Sequence, residues 1–214
     1  MRYIRAINFK IQYMFIILVK IFYKFSFKLH PLDKKESEIL HELEENGYYV
    51  GSSEDLNKLN VNTKWKESTK EIKNLLDIQH NKTKIDFNKK GSINIMLENI
   101  PISLMQDLYS FALNKSLVKI VENYLKLNLL FRGVAIKKDI IDGREIETRK
   151  WHIDGEDNRI IKIIFYLNKV DKNGGPFTCI SKKFSKNKSV KKDTHGRIEN
   201  NTIINAFNKN QINQ

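Results

Sequence analysis

The chain has 214 residues, 41% of them hydrophobic, with three prolines and nine glycines. It is long enough to bury a core, and its composition excludes a collagen, a solenoid and a disordered polymer. Its +13 formal charge, from 38 Lys plus Arg against 25 Asp plus Glu, suggests an anionic partner. Most of that charge lies at the two ends. Residues 1–32 hold six basic and no acidic side chains, and residues 180–199 hold seven basic against Asp193 and Glu199, so eleven of the thirteen charges sit in those two stretches. Lysine, isoleucine and asparagine dominate, as AT-rich codons would produce, and lysine outnumbers the seven arginines more than fourfold. Arginine is the residue that reads guanine and phosphate bidentately, which argues against sequence-specific nucleic-acid recognition. The single cysteine, Cys179, excludes an intramolecular disulfide and a zinc knuckle and suits a reducing, cytoplasmic setting.

In chain order, Ile11–Val19 is an apolar run about half as long as a bilayer crossing requires. The residues after it, Lys20 to Lys24, do not form a small-residue cleavage site, so a secretory signal is not expected. Lys20, Lys24 and Lys28 would form one basic stripe on a helix beside Phe15, Phe22 and Phe25. Two readings stand for residues 1–30: a helix packed on the domain's own core, or a peripheral helix on an anionic membrane surface. Met14 is an alternative start.

Asp33 caps an expected helix through Glu45, with Asn46-Gly47 as its stop. Tyr48–Val50 reads as a short strand. Helices are expected near Asp55–Leu59, Thr63–Asp77, Ser103–Ala112 and Ser116–Tyr124, where Leu104, Leu108 and Phe111 share one face. Past Asn128 the texture turns to β. Leu129–Ile140 and Ile146–His152 would form a hairpin about Asp142-Gly143, Ile160–Leu167 a further strand, and Phe177–Ile180 another after Gly174-Gly175-Pro176. Near the end only Ile203–Phe207 resembles a buried strand. Helices first and strands second predict an α+β fold with an antiparallel sheet.

The stretch that carries chemistry is WHIDGEDNRIIKIIFYLNKVDKNGGPFTCI, Trp151 to Ile180. His152 and Asp154, two apart on an extended chain, point the same way and can grip one metal ion from one side. This run resembles the metal-binding core of the phytanoyl-CoA dioxygenase family, Fe(II) and 2-oxoglutarate-dependent oxygenases built on a double-stranded β-helix, or jelly roll. LDKKESEILHELEENGYYV and SLVKIVENYLKLNLLFRGV are similar, more weakly, to the family's opening helix and to the helix leading into its first core strands. The likeness covers roughly residues 32–184.

The resemblance implies that His152 and Asp154 are the first two iron ligands. Lys162, if buried, would seek a carboxylate, which could be that of 2-oxoglutarate. Arg159 would pair with Glu156 or Asp157, or meet substrate. The implied reaction is oxidative decarboxylation of 2-oxoglutarate to succinate, coupled to hydroxylation of a small organic or acyl substrate. The family's distal histidine, and the basic residue that follows it, have no counterpart here. The only later histidine is His195, in the lysine-rich loop KKDTHGRI, and it reads as a solvated side chain or as a compressed third ligand. The expected organisation is therefore a basic segment over residues 1–30, a partial dioxygenase-like domain with an incomplete jelly roll over 31–184, and a polar Lys/Asn-rich tail over 185–214. The alternative function is a truncated, non-catalytic remnant that at most binds a ligand.

Overall fold

The computed structural model describes residues 27–213, except 62–63, 83–90, 96–98, 147–148, 155–158, 186–189, 191 and 194–195. Residues 1–26 of the expected basic segment 1–30, the acidic stretch with Glu156 and Asp157, and His195 all lie outside the described residues, and residues 27–30 are not helical.

Helix α1, Lys34–Asn46, begins where the sequence places its cap. The Asp33 carboxylate accepts from the Glu36 N–H, the Glu36 carboxylate accepts from the Asp33 N–H, and Gly47 closes the helix at φ 81°. Helix α2, Ser53–Lys58, repeats the capping box with Ser52 and Asp55. Helix α3, Thr69–Lys82, leads towards strand β1, Ser92–Asn94. Helices α4, Ile102–Ala112, and α5, Lys115–Leu125, follow as expected within a residue at each end. Leu104, Leu108 and Phe111 are buried in one cluster with Ile39 of α1, Ile72 and Leu76 of α3 and Ile120 of α5.

A polar seam joins α1 to α5. Glu36 is 1% exposed and receives Lys119 Nζ at 2.5 Å. Burial alone pushes the Glu36 carboxyl up, but the Lys119 ammonium, the Ser116 hydroxyl and the Asp33 N–H outweigh it, so the group is held below its ordinary value. One turn after Lys119 on α5, buried Asn123 clamps the chain that leads into α1. Its Oδ1 accepts from the His30 N–H at 2.8 Å and its Nδ2 donates to the His30 carbonyl at 2.9 Å, so both backbone groups of His30 are satisfied by one side chain.

Strand β2, Lys137–Asp139, pairs antiparallel with β1, with Ile93 opposite Lys138. Of the expected hairpin partner, Ile146–His152, no described residue lies in a strand beside β2. The chain bends at Asp142-Gly143, with Gly143 at φ 72° and the Asp142 carboxylate accepting from the Arg144 N–H. The Arg149 guanidinium donates to the carbonyls of Gly91 and Ile140 and meets the Asp142 carboxylate at 2.5 Å, so it closes the end of the β1–β2 ladder with a side chain. A Cβ on Gly91 would lie 2.8 Å from Arg149 Cζ. Gly91→Ala is therefore expected to push the guanidinium, the far end of a flexible side chain, off the Gly91 and Ile140 carbonyls and to cost about 1 kcal/mol in urea unfolding through the lost hydrogen bonds. The penalty should shrink in an Arg149→Ala background, where the obstacle is gone.

Tyr48–Val50 and Ile160–Leu167 are also not strands. The second of these is β-branched and aromatic, but strand propensity is realised only against a paired neighbour. Ile163, Ile164, Phe165 and Tyr166 stay exposed, and no partner strand lies beside them among the described residues.

The last part of the chain builds a second, smaller cluster. Strand β3, Cys179–Ile180, pairs with β4, Ile212–Asn213, and between them lie the short helix α6, Lys182–Ser185, and helix α7, Asn200–Ala206. Ile203–Phe207, expected as a strand, is thus mostly helix. Ile203, Ala206 and Phe207 fall at helical spacing and pack with Ile198 against Trp151, so the apolar period outweighs the β-branched composition. The fold is α+β, with two two-stranded antiparallel sheets among the described residues. No described helix is long and apolar enough to cross a membrane.

Candidate metal half-site

The chain reaches the H-x-D pair along the second cluster. Trp151 forms an antiparallel bridge with Ile198, whose N–H donates to the Trp151 carbonyl at 2.8 Å, and the Trp151 indole N–H donates to Asn200 Oδ1 at 3.2 Å. Lys150 meets Glu199 at 2.5 Å. These contacts hold residues 150–151, and the residues that follow, His152 to Asp154, lie outside any strand. His152 and Asp154 turn to one side, and Ile153 between them is 74% exposed.

His152 Nδ1 lies 2.7 Å from the Lys150 carbonyl. A carbonyl only accepts, so in the neutral imidazole this contact places the proton on Nδ1 and leaves the Nε2 lone pair available. Nε2 faces Asp154 Oδ1 at 3.5 Å. That separation is too long for a good hydrogen bond. Two donors each about 2.1 Å from one ion lie about 3.0 Å apart at a right angle and about 3.4 Å apart at a tetrahedral angle. The pair is thus spaced close to two ligands of one tetrahedral ion, and about 0.5 Å wider than two neighbouring ligands of an octahedral one. The other oxygen, Oδ2, is 2.7 Å from Lys162 Nζ.

Lys162, expected to seek a carboxylate, has one in Asp154, and its side chain is 53% exposed. Arg159 stacks over the Tyr124 ring at 4.7 Å and donates to the Leu125 carbonyl at 3.3 Å, which anchors the chain after the acidic turn to the end of α5. Among the described residues, no group of three or more His, Cys, Asp or Glu side chains converges as a metal site. No signal in the sequence points to Asn200 or to the Lys162–Asp154 pair, since each depends on where the chain folds back, whereas the Lys150 carbonyl is a local partner two residues before His152.

Comparison with family models, with curated proteins and with solved structures finds no match to this chain.

Proposed function

We propose that the chain is an Fe(II) and 2-oxoglutarate-dependent dioxygenase of the phytanoyl-CoA dioxygenase type, acting on a small organic or acyl substrate. The observation that carries this reading is the His152–Asp154 pair, with an available Nε2 facing a carboxylate oxygen at 3.5 Å inside a run that resembles the family's metal core. Bound iron with 2-oxoglutarate would supply oxygen activation, with succinate as a product. His152 contributes a neutral nitrogen whose orientation is fixed by the Lys150 carbonyl. Asp154 contributes the negative charge, and Lys162 would reach a co-substrate carboxylate only by leaving Asp154.

A second reading, a non-catalytic remnant that binds a ligand through the same half-site, is favoured by the two-ligand count among the described residues. Iron- and 2-oxoglutarate-dependent succinate formation by the full chain supports the first reading, and its complete absence from iron-loaded protein supports the second. In a metal titration, His152→Ala is expected to weaken binding by about 100-fold, at the upper end of what losing even an outer partner of a ligand costs. If His195→Ala does the same, His195 is a third ligand; if it has no effect, the two-ligand remnant is favoured.

A further inference from the structure

We infer that Lys162 is the resident cation of this half-site, and that a divalent ion binds in opposition to it rather than with its help. The inference rests on reading His152 and Asp154 as metal ligands. Asp154 divides its two oxygens: Oδ1 faces His152 Nε2 at 3.5 Å, and Oδ2 holds the Lys162 ammonium at 2.7 Å. The carboxylate charge is therefore already balanced without a metal.

Two effects of Lys162 on an incoming ion have opposite signs. A group bonded to the outer oxygen of a ligating carboxylate orients it, and losing such a partner typically costs about 10–100-fold in metal affinity. The partners behind that figure are acceptors or neutral donors, which do not repel the ion. Lys162 is an ammonium, and a metal on Oδ1 would stand roughly 4–5 Å from it. Two unit charges about 4 Å apart in water already repel by about fivefold in affinity, and a divalent ion doubles that free energy. The orienting contribution is small, because Lys162 is a half-exposed, four-carbon side chain whose pairing is of the weak surface kind. Repulsion wins, and removing the ammonium should tighten metal binding by about tenfold, the roughly 25-fold repulsion less a small orienting loss.

The test is a calorimetric titration of the full chain with Mn(II) and Co(II) at low and high salt, comparing the wild type, Lys162→Met, Lys162→Arg and each with His152→Ala. Lys162→Met is expected to bind about tenfold tighter at low salt, with the gap closing as salt screens the charge, and Lys162→Arg to stay at or below the wild type. Equal or weaker binding by Lys162→Met overturns the inference and leaves the metal site standing. Tighter binding that is indifferent to His152→Ala sustains the opposition of Lys162 to the ion and overturns His152 as a ligand. No binding by either Lys162→Met or the wild type overturns both.

Discussion

Lys119→Ala is expected to lower the unfolding free energy by about 3–5 kcal/mol, a large part of the roughly 5–15 kcal/mol typical of a domain. The cost is high because Glu36 cannot follow its partner into solvent: it is 1% exposed and fixed by the α1 capping box. The pH dependence provides a second signature. In the wild type the folded Glu36 carboxyl sits below its ordinary value, so its contribution is present above the unfolded value of about 4.5 and is lost as pH falls through the folded one. Without Lys119, burial is opposed only by the Ser116 hydroxyl and the Asp33 N–H, so the folded value moves up. The variant should then lose much of the stability that the wild type gains as pH rises, and the gap to the wild type should be widest near neutrality and close in acid. Urea unfolding from about pH 4 to 8 measures both. The double variant Glu36→Gln, Lys119→Met should recover most of the loss, since glutamine can still complete the capping box and no charge is left buried.

Phe207→Ala is expected to cost the second cluster about 3–5 kcal/mol and to disable the half-site while leaving the helical cluster folded. Phe207 is 5% exposed and packs with Ile198 and Ile203 in a group separate from the one that α1, α3, α4 and α5 share. Trp151, the residue immediately before His152, is held by that group through its bridge to Ile198. Three readouts should move together: a red shift of tryptophan emission, weaker metal binding, and faster labelling of Cys179. Burial pushes the Cys179 thiol above its ordinary value, and its strand pairs with β4, so in the wild type it should react slowly with alkylating reagents. Far-UV circular dichroism should change little. Its collapse would mean that the two clusters unfold as one unit.

What the sequence made legible was local chemistry. The start and stop of α1 follow from Asp33, Glu36 and Gly47, which act within a few residues of themselves, and α4 and α5 follow from an apolar period that needs no partner to be read. His152 and Asp154 converge within a separation of two residues, which is also local. The strands were harder to read. Ile160–Leu167 has the composition of a strand but does not pair, and of the expected Leu129–Ile140 only Lys137–Asp139 does, because Ser92–Asn94 is placed beside it. Ile203–Phe207 could be read as either element, and its packing against Trp151 decides for helix. Lys162 reads as a lysine in need of a carboxylate, but which carboxylate it meets depends on how the tertiary fold brings Asp154 and Lys162 together.

The two ends of α1 are fastened by residues far along the chain. Glu36 waits for Lys119, and at the other end the Glu44 carbonyl accepts from Lys182, 138 positions later, with Asn46 beside Ser181. At ribosomal rates of about 5–20 residues per second, Lys182 is added roughly 7–28 s after Glu44. The apolar face of α1 is open to chaperones or to a neighbouring nascent chain until α5 arrives, with Lys119 75 positions and roughly 4–15 s after Glu44. The Lys182 anchor at its far end comes later still, with the segment that follows the half-site.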